Sequence, residues 1–448
     1  ARLAERGWTA EPISAQPWHI PRASGGPDYT RYVGARPAPP PAADRPDSPQ
    51  TGDAALAEAL LFGNVYSEAK PSLAWAPDGS SGMLVWTHDD LSKPVGQGLE
   101  IVSSYYDGTA WSALSPITSD TYPDTGARVT RLADGYYLAV WERIDDPNLP
   151  AGAPFDATTW SKANVMVALF DPYSLTWSAP YQIHAANDTL DYAPVLSVAA
   201  GDVPLTVWRH NDGNELVGTT ASPESLRFTY WNGISWNEGV AAAGLVAVSE
   251  VALAQSGGEA TLAWTQVMTP TGVLTGTAQV FAVEFDGVAW SAPAQVTSGA
   301  VDHYSPQPFY TPAGEAVVAW VEDGAITWRV LSDGSLHTSN LDQAAHEFRL
   351  AGNATGNLVA VWTQQDDVFL SLYDWNYDLW SLPANLTRDI NRETYLAPFL
   401  EDGGQLRVAY ADTHMSEVIR TVTAASGEVI TYTTNVPGIT DLSLLYLT

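Results

Sequence analysis

The sequence predicts an all-β fold, a β-propeller of about seven four-stranded antiparallel blades, with eight blades left open. Three observations carry that expectation. A phrase closing on an aromatic residue recurs seven times, a second phrase closing on Trp-Ser recurs between its copies, and no segment between them has helical periodicity.

The first phrase is an alternating run, a Gly-containing turn, a second apolar run ending in the aromatic, and an acidic turn. Its copies are residues 71–90, 127–146, 194–213, 250–266, 306–324, 348–367 and 396–413. They close on Trp86, Trp141, Trp208, Trp264, Trp320, Trp362 and Tyr410, at spacings of 42 to 67 residues that leave room for loop insertions. The second phrase, as in EIVSSYYDGTAWSALSPIT (100–118), is clear at 165–183, 226–239, 280–297 and 368–387, and degenerate in the fifth unit. Two alternating runs joined by a tight turn make a hairpin, and two hairpins make a four-stranded sheet. Such a sheet cannot bury both faces alone, so neighbours stack radially and close. The recurring Trp is then a packing residue between blades.

The ends bear on closure. Residues 5–14 resemble the outer-strand phrase, which suggests a closing strand in an otherwise extended, Pro-rich N-terminal arm (1–52), with the propeller occupying 53–448. AALAEALL (54–61) reads as a helical turn or as the closing strand itself. The tail 435–448 reads as an inter-blade loop followed by a first strand, which would open an eighth sheet. A start at Ala1-Arg2-Leu3, without Met or an apolar leader, fits a processed secreted chain or a fragment.

Composition narrows the function. A formal charge of -31, with Lys only at 70, 93 and 162, repels phosphate backbones and anionic membranes, which argues against nucleic acid. No apolar run is long enough to span a bilayer. With no cysteine there are no disulfides and no thiolate chemistry. An acidic, aromatic-rich chain of this kind is expected to be secreted or displayed on a cell surface.

Aligning the repeats on their Pro and Trp places Glu68, Asp124, Asp191, His303 and Glu393 at one register, three residues before the Pro, with Val246 and Ala344 in the fourth and sixth units. These residues would ring the channel mouth together with His88 and His210, as candidates for binding a ligand. The exposed-aromatic candidate Trp160 lies in a long loop. Oxygen-only ligands such as Asp89, Asp90, Asp145 and Asp146 would suit calcium, the one cofactor considered. Asp, Asn and Gly also simply make tight turns. No phosphate-binding Gly loop, GxSxG or HExxH occurs, so no catalytic residue is assigned.

The outer-hairpin phrase YYDGTAWS (105–112) resembles the Asp-box repeat of sialidases, and YWNGISWNEG (230–239) resembles repeats of fucose-binding propeller lectins. The pattern over residues 65–435 is most similar to propeller repeats of large bacterial surface proteins. The sialidase resemblance implies an arginine cluster, for which Arg128, Arg131, Arg143 and Arg209 are available in two blades. The expectation is a non-enzymatic module that binds a glycan or a surface protein, or serves structurally. The alternative is a sialidase-like or other glycoside hydrolase using carboxylates at the channel mouth. Self-assembly through the N-terminal arm would be a further role.

Overall fold

The computed structural model describes residues 56–447, apart from 95–96, 147–148, 150–156, 199–202, 232–234, 269–275, 339–346 and 424–428. The Pro-rich arm, its predicted strand near 5–14 and assembly through it lie outside the described residues.

Seven antiparallel sheets follow one another along the chain and form a ring, so the chain is a seven-bladed β-propeller. The innermost strands are Ser72–Trp75, Asp124–Arg131, Leu190–Ser197, Val248–Ser256, His303–Tyr310, Phe348–Gly352 and Arg392–Leu400. In blades 2 and 6 the outermost strand is broken into two short segments, because the turn-Trp-Ser phrase returns to the sheet in two touches. The seven closing aromatics are all 2% exposed or less and fill the spaces between sheets.

The Trp-Ser phrase has a second structural reason. Ser112, Ser178, Ser291 and Ser381 each place Oγ 3.0 Å from a backbone N–H of the adjoining third strand. The short fourth strand is thereby tied down where ladder bonds are few. Thr118, Thr297 and Thr387 accept from the backbone N–H of Ile101, Val280 and Val368, near the start of the same strand, at 2.8–2.9 Å. At the hairpin tip, Asp107 Oδ1 accepts from the Thr109 hydroxyl and from the backbone N–H groups of Ala110 and Thr109, which holds its carboxyl down at about 2.

Closure uses the residues 54–61 segment. Leu56–Val65 is a strand, the outermost of blade 7, paired antiparallel with Val429–Leu447. The tail does not open an eighth sheet. It is the third strand of blade 7, and the acidic, apolar alternation that resembles a first strand belongs to this edge-paired position. Phe62 packs on the closing Trp86 of blade 1 at 4.7 Å between ring centroids, and Tyr410 donates from its hydroxyl to Glu58 at 2.9 Å. The N-terminal strand therefore joins the last blade to the first.

Blade 7 departs from the others in one more way. Its second and third strands run on as a ribbon, pairing from Met415–Pro437 out to Thr423–Val429. Ile419 on this ribbon is 73% exposed.

Removing residues up to Val65 deletes the closing strand and uncovers Trp86 and the edge of Val429–Leu447. The loss is comparable with a domain's whole stability of roughly 5–15 kcal/mol. The truncated chain is expected to lose its single cooperative thermal transition by circular dichroism, and a peptide of residues 56–65 added in trans is expected to restore part of it.

Candidate functional site

Antiparallel order brings the starts of the innermost strands and the turns between second and third strands to one face of the ring, here the upper face. On that face the backbone repeats a distortion. Lys70, Gly126, Ala193, Glu250, Ser305 and Tyr395 all have φ between 47° and 70°. In the five of these blades whose register spans the site, two first-strand residues lie opposite the single closing aromatic, a β-bulge. The bulge turns backbone N–H groups toward the preceding blade. Glu142 accepts from Ala193 N–H (2.9 Å), Glu250 from Ser305 (2.8 Å) and Glu347 from Tyr395 and Leu396 (2.7 and 3.0 Å).

The bulge also fixes which side chains meet. The residue two before the bulge stands directly opposite the residue two after the closing aromatic. Asp124 faces Arg143, Asp191 faces His210, His303 faces Glu322 and Glu393 faces Asp412. In blade 4 the neutral pair is Val248 and Gln266, two residues beyond the expected Val246, because this repeat has Val251 where others have the Pro used for alignment.

Most of this predicted ring is engaged within its own blade. Asp124 is fully buried, and Oδ1 accepts from the Trp141 indole (2.7 Å) and Arg143 Nε (2.7 Å), while Oδ2 accepts from Arg143 Nη2 (2.8 Å). Asp191, also fully buried, accepts from the Trp208 indole (2.6 Å) and Asn187 (3.0 Å) and pairs with His210 Nδ1 (2.7 Å). His303 lies 3.4 Å from Glu322 and edge-on to Trp320. Glu68 accepts from the Tyr395 hydroxyl across the junction of blades 7 and 1. These contacts pin the closing indoles and the bulges.

The remaining predicted residues are placed as follows. His88 is half-buried and paired in register with Glu100. Trp160 is not an exposed platform: it is 2% exposed in the helical turn Ala157–Trp160, packed with Ile144, Ala163, Leu190 and Tyr192. Asp90 caps its own turn through Ser92, and Asp146 pairs with Lys162 at 2.5 Å. Asp89 ends the second strand of blade 1, and the backbone N–H of Asp145 donates to the Lys162 carbonyl. Among the described residues, the three carboxylates that converge within 4.8 Å are instead Glu100, Asp120 and Asp124. Lys93 bonds Glu100, and Arg143 bonds both aspartates, so this cluster already contains two cations.

Around the channel, the half-buried Lys70, Arg128 and Arg349 interact with Glu142 and Glu347. Arg349 pairs with Glu347 at 3.0 Å. The channel is lined by alternating charge rather than by acid alone. The arginines expected to cluster are dispersed: Arg143 on Asp124 and Asp120, Arg209 on Glu224 (2.8 Å), and Arg128 in the channel.

Blade 7 is the exception on this face. Glu393 is 2% exposed with no partner for Oε2, and Asp412, opposite it, is 8% exposed with no partner for Oδ1. Burial pushes Glu393 up to about 10, reinforced by Asp389, Asp412 and Asp367. Asp412 was absent from the sequence-level candidates, although its position two residues after Tyr410 is legible once Arg143 and His210 are seen at the equivalent place.

The lower face carries a groove of about 670 Å³ where the outer hairpin of blade 6 meets the first turn of blade 7. Tyr373, Trp375, Tyr377 and Trp380 line it with Asn376 and Asp374. Trp375 is fixed by a 2.7 Å bond from its indole N–H to the Gly356 carbonyl and by edge contact with Tyr373, while Tyr377 is 78% exposed. The signal was present in DWNYD (374–378), where two aromatics interrupt a turn that reads Asp-Gly at 107–108 and 286–287.

No protein-family model matches the chain, and no curated protein matches it either. Solved structures resemble it at low identity. A protein of unknown function from Dyadobacter fermentans DSM 18053 is 13% identical at a TM-score of 0.45, over 87% of this chain and 98% of that one. A sialidase of Trypanosoma rangeli is 9% identical at 0.49, over 87% of this chain and 59% of that one. A puromycin-hydrolyzing peptidase of Mycobacterium tuberculosis is 16% identical at 0.48, over 82% and 54%. The chain thus spans little more than half of each of these two enzymes.

The Asp191–His210 pair makes stability depend on pH. Burial works against the charge on His210, but its bonds to Asp191 and Asp212 outweigh burial and raise its pKa above 6.5. A raised histidine contributes fully below the unfolded value and loses its contribution as pH climbs through the folded one. Thermal melts of the wild-type chain are therefore expected to show a loss of stability on the alkaline side of pH 6.5 that His210→Gln lacks; identical pH profiles for the two would contradict it.

Proposed function

We propose that this chain is a secreted or surface-displayed propeller that binds a glycan without transforming it, and that the groove between blades 6 and 7 is where the sugar sits. The observation that carries this reading is the groove's lining. Flat aromatic faces cover the apolar face of a sugar ring, and Asn376 and Asp374 supply hydrogen-bonding groups beside them. Trp375 is held in place before any ligand arrives, which lowers the entropy cost of binding. The internal engagement of Asp124, Asp191 and His303 supports binding over hydrolysis, because carboxylates already bonded to indoles and bases are not positioned as an acid–nucleophile pair.

A glycan array probed with the whole chain, followed by calorimetry on the best hit, tests the proposal. Tyr377→Ala and Trp375→Ala are expected to weaken binding at least about tenfold, the scale of one lost aromatic contact of ~1.4 kcal/mol. Tyr377→Ala is expected to leave the melting temperature unchanged. Release of sugar from sialosides or polysaccharides at enzyme-like rates would overturn the reading.

A further inference from the structure

The upper face of blade 7 lies on the opposite side of the ring from the groove, and it breaks a rule that blades 2, 3 and 5 keep. Where the first strand of a blade offers an ionisable residue at the register just before the bulge, two donors or a complementary charge meet it. In blades 2 and 3 the acid receives the closing indole N–H and a base two residues beyond it. In blade 5 the two roles are exchanged, with His303 on the first strand and Glu322 on the second. In blade 4 both positions are uncharged.

Blade 7 keeps the acid and loses both partners. The closing aromatic is Tyr410, which has no indole N–H, and its hydroxyl is directed to Glu58 on the closing strand. The residue two beyond it is Asp412, a second carboxylate in place of Arg or His. Glu393 and Asp412 are thus directly opposed on paired strands, 98% and 92% buried, and each retains an oxygen with no hydrogen-bond partner. Two carboxylates so placed cannot both be charged unless something positive, a proton or a bound cation, joins them.

The surroundings add further negative charge, and His414, which acts on Asp412 with the opposite sign, is itself bonded to Asp441. Asp367 is half-buried with Oδ1 unpartnered, and Asp389 is exposed just before the first strand. Both act on Glu393 electrostatically. The nearby bases are occupied elsewhere, His414 on Asp441 (2.9 Å) and Arg392 on Asp366 (3.3 Å).

We propose that Glu393 and Asp412 form the core of a divalent-cation site of calcium type, with Asp389 and Asp367 at its rim. The donor set is carboxylate oxygen only, the chemistry preferred by a hard cation with a flexible coordination shell. The ion takes the place that Arg143 holds in blade 2 and ties the first strand of blade 7 to its second. Those two strands also carry the blade that closes the ring, so occupancy couples to the stability of the closure.

The test is calorimetric titration of the metal-free whole chain with calcium chloride, alongside thermal melts with calcium or with chelator. One saturable site is expected, together with a rise in melting temperature of several degrees on adding calcium. Asp412→Asn and Glu393→Gln are each expected to weaken binding at least tenfold and to reduce the thermal shift. Asp90→Asn and Asp145→Asn are expected to leave both unchanged. Should Glu393→Gln fail to fold, Asp412→Asn decides alone. The proposal is overturned if the metal-free chain takes up no calcium at millimolar concentration, or if Asp412→Asn binds it as tightly as the wild type.

Discussion

Everything on the upper face follows from one constraint: each blade buries a large aromatic ring against its neighbour, and burial of the surrounding polar groups has to be matched. An indole brings an N–H into the core, and the bulge opposite it brings backbone N–H groups as well. An unmatched buried donor or acceptor costs about 1–3 kcal/mol, and the junctions differ in how far they avoid it, since the indoles of Trp86 and Trp362 have no hydrogen-bond partner. Asp124 and Asp191 answer it by accepting the indole of Trp141 and Trp208. Their own charge is then answered by Arg143 and His210. The carboxylates of Glu142, Glu250 and Glu347 answer the bulge amides of the following blade. The acidic residues of this face thus tie strands together within a blade and, through Glu142, Glu250 and Glu347, one blade to the next.

That solution sets what each face can do. The upper face of blades 2, 3 and 5 is stiffened by its charge pairs, and the channel beneath is lined by both signs. Function moves to places where the pattern is interrupted. On the lower face the interruption is the aromatic-rich turn after Asp374, beside which the groove opens. On the upper face it is the doubly acidic pair of blade 7, beside that blade's extended ribbon.

The ring and most of its blades could be read from the sequence because each repeat states the same physical requirements: period-two alternation, a Gly turn, a closing aromatic. Closure was harder. Leu56–Val65 reads as helix or strand because AALAEALL has no β-branched residues, and only the partner Val429–Leu447 decides it. The tail misleads because a third strand and a first strand share the same alternation, and what separates them is which neighbour is already paired. The acidic ring at the register of Glu68 and Asp124 was visible, but its meaning was not. A carboxylate three residues before a Pro looks the same whether it faces water or an indole, and the deciding partner sits about 17 to 19 residues later on another strand. The bulge, invisible in a single repeat, shifts that partnership by one residue. Trp160 shows the same limit: a Trp in a long loop reads equally as an exposed platform or as a pin for its own loop, and the enclosing Ile144 and Tyr192 decide for the pin.

The central claim is that the position two residues beyond the closing aromatic carries the charge that matches the first strand, and that blade 7 leaves this match to an ion. Reciprocal exchange tests it most directly, by urea unfolding of two variants in chelator. Arg143→Asp gives blade 2 the composition of blade 7, and Asp412→Arg gives blade 7 that of blade 2. The account predicts opposite signs: a loss of about 3–5 kcal/mol for Arg143→Asp, which strands a buried carboxylate, and a gain in stability for Asp412→Arg. Destabilisation of both by similar amounts, or no effect of Arg143→Asp, would contradict it.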